Sequence, residues 1–273
     1  MIYGEIIIGP PGSGKSTYVQ YKKELLKDRN VVSINLDPGN NYKYFDYDIK
    51  QIGATQNFMI ENDLGPNYSV KKILENFFEN YDHSFLPFFR NILKNKKEDE
   101  CIYFLFDFPG QVEFFMVSSV LHDFCYKLQK ELNFHLACVN LVDIIFFLEE
   151  KTRISSYLCC TITMILLELP HVCVFSKCDN FKKMKATCKN NINVEDLSFA
   201  FNINENLEDK FSKSCIEIVE NESLLNFEFL DYDNIDTLIY LQMIIDKANG
   251  FYFNEEPSYE YVSKNKILEY YEK

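Results

Sequence analysis

The chain has 273 residues, 47% hydrophobic and 25% charged, an ordinary globular composition that excludes a disordered protein and allows a sizeable core in one α/β domain or one domain with a helical insert. A formal net charge of −13 repels polyanions, and no basic run is longer than Lys94 to Lys97, so direct nucleic-acid binding is not expected and protein partners are favoured. Nine cysteines without C-x-x-C spacing and four histidines without ligand spacing predict buried reduced thiols in a cytosolic or nuclear chain, without a zinc site; neither a signal peptide nor a membrane span, which needs roughly 18 apolar residues, is expected.

Residues 2–8 are the first expected strand, closing in Glu5-Ile6-Ile7-Ile8. Directly after it, Gly9-Pro10-Pro11-Gly12-Ser13-Gly14-Lys15-Ser16 spells a full G-x-x-x-x-G-K-[ST] phosphate loop. A triphosphate needs many donors at close range, and Gly12 and Gly14 clear side chains out of the backbone's way. The N–H groups of this run, Ser13 and Thr17 included, then cup the phosphates at the positive end of a helix that starts near Lys15. Lys15 is expected on the β and γ phosphates and the Ser16 hydroxyl on Mg²⁺. An amphipathic helix follows through Val19, Lys22, Lys23, Leu25 and Leu26, and then a strand at 31–35.

Residues 36–100 are an unusually long excursion between strands. Within it Gly65-Pro66-Asn67 reads as a turn before a helix starting near Ser69, with Asn67 or Ser69 as the N-cap. Val70, Ile73, Leu74, Phe77, Phe78 and Tyr81 then form one wide apolar helix face. Phe85, Leu86, Phe88, Phe89, Ile92 and Leu93 lie on a second helix, started or kinked by Pro87. Most of these residues are expected in the core, with part of the aromatic surface facing another subunit.

The strand at 101–106 has no polar alternation and is expected to be buried on both faces. It ends in Asp107-Phe108-Pro109-Gly110-Gln111. An acidic residue at that place can hold Mg²⁺ through water, and Gly110 can lend its N–H to a γ-phosphate that exists only before hydrolysis. Phe114, Val117, Leu121, Phe124 and Leu128 mark a helix, and 135–142 and 171–175 two further strands. Ser176-Lys177-Cys178-Asp179 closes the second of them. There the Asp179 carboxylate can accept hydrogen bonds from guanine N1–H and the 2-amino group, with the Lys177 stem over the ring. Adenine offers no such donor pair, so this site selects GTP over ATP.

The stretch 180–206, rich in Asn and Lys, is expected to be mobile. Leu207, Phe211, Cys215 and Ile218 mark a helix before the strand at 226–230, and a helix over 234–249 has Asp233 as its N-cap and Gly250 as its stop. The tail 251–273 is rich in Tyr and Glu. Strands alternating with helices predict an α/β P-loop NTPase: a mostly parallel central sheet flanked by helices, with a helical insertion. No repeat or linker is visible, which favours one domain.

Taken together, Gly9 to Ser16, Asn35-Leu36-Asp37-Pro38, Leu64-Gly65-Pro66-Asn67, Asp107 to Glu113 and Ser176 to Asp179 resemble the GPN-loop GTPases over about residues 2–253. Leu141-Val142-Asp143, Leu169-Pro170-His171 and Asp246 to Gly250 are most similar to the second of the three eukaryotic paralogues. The resemblance implies a GTPase domain over 1–253, a helical insertion at about 55–98 carrying the Gly-Pro-Asn loop, and a C-terminal tail at 254–273. It implies binding of GTP and GDP with Mg²⁺ at Ser16, Asp37 and Asp107, with Asp37 also near the attacking water and Gln111 orienting that water. It implies a dimer, with itself or with a paralogue, in which Gly65, Pro66 and Asn67 of one subunit reach the other's γ-phosphate region in place of an arginine finger. Its biological implication is assembly and nuclear import of RNA polymerase II, extending to polymerase III, by a cytoplasmic protein that shuttles to the nucleus, with no membrane partner.

Three departures from the family pattern stand out: Gly39-Asn40 for Ala-Asn, Phe108 for Cys, and a shortened region after Asp179. Phe229-Leu230-Asp231 is the candidate for the ribose-and-base loop. Two other functions compete. A P-loop small-molecule or nucleotide kinase would use residues 36–100 as a lid, but such lids carry several Arg and this one has only Arg90. A GTP-binding scaffold with negligible turnover would not need Lys15, Ser16, Asp37, Asp107 and Gln111 all intact.

Overall fold

The unalternating apolar runs of the sequence form the strands of one sheet. In the computed structural model, which describes residues 1–42, 44–95, 100–116, 119–180, 210–221, 225–255 and 259–272, these are β1 (Ile2–Ile8), β2 (Asn30–Asn35), β3 (Tyr47–Asp48), β4 (Ile102–Asp107), β5 (Phe134–Asp143), β6 (His171–Ser176) and β7 (Phe227–Phe229). They form a seven-stranded sheet in the order β3-β2-β4-β1-β5-β6-β7. Six of them lie within a residue of the expected bounds. The addition is β3, two residues long and paired in parallel with Ile34 and Asn35, too short to leave a periodic trace. The chain divides into two compact units, Met1–Cys138 and Val139–Lys273. The division falls inside β5, a place that no change of composition marks.

In the first unit β4 lies between β1 and β2 and pairs with both in parallel. Parallel neighbours need crossovers. Helix α1 (Lys15–Leu25) joins β1 to β2, and α2 (Thr55–Asn62), α3 (Pro66–Glu79), α4 (Tyr81–Ser84) and α5 (Leu86–Lys94) fill the excursion before β4. After β4 come α6 (Val112–Met116) and α7 (Val120–Leu132). The aromatic faces of the excursion close the core over the sheet: Phe106 packs on Phe124 at 5.7 Å between ring centres, and Phe104 on Phe89 at 5.8 Å and Phe134 at 5.0 Å. Val70, Ile73, Leu74, Phe77, Tyr81, Phe85, Leu86 and Phe89 are all buried, as expected for a core face. Pro87 sits in the first turn of α5 and starts that helix without kinking it.

The start of α3 corrects the sequence reading. Its cap is Gly65 and its first residue Pro66, so neither Asn67 nor Ser69 is the N-cap; Ser69 Oγ instead donates back to the Gly65 carbonyl at 2.9 Å. Proline's fixed φ and missing N–H suit the first helical position, and that preference outweighs side-chain capping here.

The second unit holds β6 and β7, paired in parallel, with α8 (Glu150–Leu167), α9 (Lys210–Asn221), α10 (Ile235–Ala248) and α11 (Lys264–Glu272). Its core gathers Phe147, Tyr157, Phe175, Phe227 and Phe229 with Val262, Ile267 and Tyr271 from the tail. The N-cap of α10 is Asn234, whose side chain accepts from Asp236 N at 3.2 Å; Asp233 lies before it and donates its N–H to Asp231 Oδ1 at 2.9 Å. Gly250 ends α10 with a left-handed φ of 83°, as expected of a helix stop. On α9 Cys215 is buried but Phe211 is exposed, so Phe211 is not a core marker. Val117, Leu207 and 181–206 lie outside the described residues. Among the described residues no helix is long and apolar enough to cross a membrane.

Candidate nucleotide-binding site

The phosphate loop takes the form its glycines allow. Gly12 and Gly14 adopt φ of 75° and 91°, left-handed values that side-chain-bearing residues avoid. Gly14 caps α1 and Lys15 is its first residue, as the motif requires. Lys15 is nearly buried, and its Nζ donates to the carbonyls of Gly9 at 3.0 Å and Pro10 at 3.1 Å, so the ammonium braces the loop from within. Burial lowers its pKa, opposed by the charges of Asp107 and Asp37. Ser13 Oγ is buried with no partner among the described residues, and Thr17 is half-buried in the first turn of α1.

Asp107 reaches this loop through strand register. Both Ile7 at the end of β1 and Asn35 at the end of β2 stand opposite it, which brings it beside Ser16 although 91 residues separate the two. Ser16 Oγ donates to Asp107 Oδ2 at 2.7 Å, while Asp107 Oδ1 is buried with no hydrogen-bond partner among the described residues. Burial pushes the carboxyl up to about 7, against the opposing effects of the Ser16 hydrogen bond and Lys15. Asp37 is also raised by burial, its Oδ1 accepting from Gly39 N at 2.8 Å. A hydroxyl, an orphaned carboxylate oxygen and a second carboxylate are hard oxygen donors, which suits Mg²⁺. Among the described residues no three His, Cys, Asp or Glu side chains stand ready to hold an ion alone, so phosphate oxygens and water would supply the remaining ligands.

Three residues of this site escaped the sequence reading. Asn40 Nδ2 donates both to Ser16 Oγ at 2.8 Å and to Asp107 Oδ2 at 3.0 Å. Its orientation is fixed because Oδ1 accepts from Tyr42 N at 3.0 Å, and a backbone N–H can only donate. Tyr44 OH donates to the Ser16 carbonyl at 2.6 Å, and Lys50 Nζ to the Asn40 carbonyl. The one sequence signal for Asn40 was its place in the Gly39-Asn40 departure, three residues after Asp37.

Gly110 packs against the loop so closely that a Cβ there would lie 2.8 Å from both Pro11 N and Pro11 Cα, and 2.8 Å from Lys15 Nζ. Its N–H is therefore at the phosphate-binding turn. Gly110→Ala is expected to cost about 1–3 kcal/mol of stability and to weaken nucleotide binding along with it. A parental melting temperature together with parental affinity would show that the loop moves aside freely. Gly65, Pro66 and Asn67 are exposed at the head of α3, and Asn67 Oδ1 accepts from Gln111 Nε2 at 3.4 Å. The expected water-orienting Gln111 and the Gly-Pro-Asn loop thus meet within one chain.

In the second unit, Ser176 ends β6 with a buried Oγ that has no partner among the described residues. Lys177 follows with φ of 59°, a left-handed conformation that costs a non-glycine residue about 1–3 kcal/mol and persists only where its surroundings impose it. Its Nζ donates to Asp143 Oδ2 at 2.8 Å, and Asp143 Oδ1 accepts from Ile145 N at 3.1 Å. Asp143, unassigned on sequence grounds, therefore pins the lysine whose stem is expected against the base. Cys178 is buried, its N–H donating to the Leu230 carbonyl at 3.2 Å and its thiol to the Phe175 carbonyl at 3.1 Å. Asp179 is half-buried directly after it. In Phe229-Leu230-Asp231, Leu230 abuts this motif, but Asp231 is buried and tied into the fold, its N–H donating to Thr237 Oγ1 at 3.0 Å.

Comparison with known proteins agrees with this geometry. The family model described as conserved hypothetical ATP binding protein matches residues 7–251. The chain is 33% identical over 265 residues to GPN-loop GTPase QQT1 of Arabidopsis thaliana, covering 93% of this chain and 87% of that protein. It is likewise 33% identical to GPN-loop GTPase 2 of Saccharomyces cerevisiae over 268 residues, 93% of this chain and 76% of that protein. Among solved structures, a GTPase in apo form from Pyrococcus abyssi superposes with a TM-score of 0.67 at 17% identity, covering 91% of this chain and 97% of that one, a likeness of fold. With a phosphate loop, a strand-end aspartate and kinship to these proteins over nearly its whole length, the chain is a GTPase and belongs to the GPN-loop GTPase family.

Proposed function

We propose that the chain is a Mg²⁺-dependent, nucleotide-switched GTPase that works as a dimer, with itself or with a paralogue, and that it acts as an assembly and nuclear-import factor for RNA polymerase II and III. The observation that carries the chemical part is the contact of Ser16 Oγ with Asp107 Oδ2 at 2.7 Å beside an unpartnered, buried Oδ1. In this reading Ser16, Asp107 and Asp37 hold Mg²⁺, which supplies charge neutralisation to the phosphate oxygens. Lys15 exchanges the Gly9 and Pro10 carbonyls for phosphate oxygens, which are stronger, charged acceptors. The Gly110 N–H senses the γ-phosphate, and Gln111 orients the attacking water. The polymerase role rests on family membership alone.

The family description speaks of ATP and the named relatives are GTPases, so the base-reading residue decides between them. Asp179 paired with two guanine donors would lose both of them against adenine. The parent protein is expected to bind GDP and GTP far more tightly than ADP and ATP. Asp179→Asn should narrow that preference by about 1.5–3 kcal/mol, the worth of a charged hydrogen bond. Titration of the purified chain with all four nucleotides, single-turnover hydrolysis, and mass in solution in GDP and in a GTP analogue test the proposal together. Equal affinity for ATP and GTP would remove Asp179 from base recognition, and an unchanging monomer mass would remove the dimer.

A further inference from the structure

The segment after residue 254 takes no part in the chemistry above, yet it is built into the second unit's core. Val262, Ile267 and Tyr271 join the cluster that holds Cys173, Phe175, Cys178, Phe227 and Phe229. Two ion pairs fasten the segment from outside, Lys264 Nζ to Glu228 Oε1 at 3.0 Å and Lys266 Nζ to Asp236 Oδ2 at 2.7 Å. Tyr259 OH adds a hydrogen bond to Asp246 Oδ2.

Tyr271 itself lies directly behind the base-reading motif. Its ring stands 5.1 Å from that of Phe229, and its hydroxyl donates to Asp231 Oδ2 at 3.3 Å. Asp231 follows Leu230, whose N–H donates to the Phe175 carbonyl at 2.9 Å and whose carbonyl accepts the Cys178 N–H at 3.2 Å. Tyr271 and Cys178 also belong to the same buried cluster. Cys178 precedes Asp179, and on its other side the backbone is closed by Asn180 N donating to the Lys177 carbonyl at 3.0 Å. A carboxylate that must accept two parallel hydrogen bonds has to be held within about 0.5 Å. The left-handed Lys177, next but one to Asp179, shows that this turn is held against its own preference by its surroundings.

We propose that Tyr271 is a positioning residue for base recognition: helix α11 braces Asp231 and Cys178 from behind, so that guanine discrimination by Asp179 depends on the end of the chain. This rests on Asp179 being the carboxylate that reads the base.

The ratio of GDP to IDP affinity tests it in the full-length protein. IDP keeps the N1–H but lacks the 2-amino group, so the ratio reports one hydrogen bond to Asp179 while the diphosphate contacts cancel. The parent is expected to prefer GDP about tenfold or more. Tyr271→Phe keeps the ring on Phe229 and loses only the hydroxyl. It should lower the ratio about threefold, while affinity for inorganic tripolyphosphate stays at the parent's value. Tyr271→Ala should bring the ratio closer to one; where that variant loses its helical circular dichroism, the Phe variant decides. A parent ratio of one overturns the reading of Asp179 and this inference with it. A parental preference that persists undiminished in folded Tyr271→Phe overturns the positioning role alone.

Discussion

Lys15→Ala is expected to weaken GTP binding by about 10²- to 10⁴-fold, the worth of two charge-assisted hydrogen bonds at roughly 1.5–3 kcal/mol each. The lysine is 7% exposed, and among the described residues its ammonium has only loop carbonyls as direct hydrogen-bond partners, at 3.0 and 3.1 Å. Burial works against its charge, and Asp107 and Asp37 work for it, so the group is kept cationic where a polyanion would arrive. The same two hydrogen bonds steady the loop, and losing them should cost about 1–2 kcal/mol of stability as well. Titration calorimetry with GDP and a GTP analogue measures the first effect and thermal unfolding the second. A dissociation constant within threefold of the parent's would show that Lys15 serves the loop and not the phosphates.

The phosphate site was legible because its instructions are local. Gly12 and Gly14 announce left-handed backbone, and the lysine and serine directly after Gly14 open the helix that uses it. Asp107 was legible for a different reason: it ends an unbroken apolar run, and a parallel sheet places the ends of neighbouring strands together. What stayed hidden is held by long-range polar contacts from irregular segments. Asn40, Tyr44 and Lys50 lie in a stretch without period, and nothing in their spacing tells that Asn40 and Tyr44 converge on Ser16 while Lys50 holds Asn40. Glu5 lies in the run that closes the first strand and Lys22 in the amphipathic helix after the phosphate loop, and no spacing links the two. They are in fact fully buried and paired at 3.3 Å, with Tyr18 and Tyr103 hydroxyls donating to the carboxylate at 2.6 and 2.7 Å. Removing one partner of such a pair costs about 3–5 kcal/mol, so the pair fixes α1, and with it the loop, to β1. The tail, rich in Tyr and Glu, carries no core signal in its composition. Its Tyr271 is buried to the hydroxyl instead.

Asn67 is the residue whose two possible roles differ most in outcome. It is exposed, it is not the cap of α3, and among the described residues its side chain bonds only to Gln111, at 3.4 Å, so Asn67→Ala should leave the melting temperature nearly unchanged. Turnover is expected to fall about 10²-fold, the usual cost of losing one preorganised donor at a transition state. Where that donor acts is a separate question. The contact with Gln111 lets Asn67 support its own chain's water, whereas the proposed dimer would present Asn67 to the partner's phosphates. Mixing Asn67→Ala with Lys15→Ala distinguishes them. In the mixed dimer the one intact phosphate loop belongs to the chain that lacks Asn67, so it can be served only by the partner's Asn67. We expect activity to return on mixing, to about half the parental rate per mixed dimer when sites act independently. Inactivity despite demonstrated subunit exchange would place Asn67 with Gln111 in cis, and the reach across a dimer would then have to be given up.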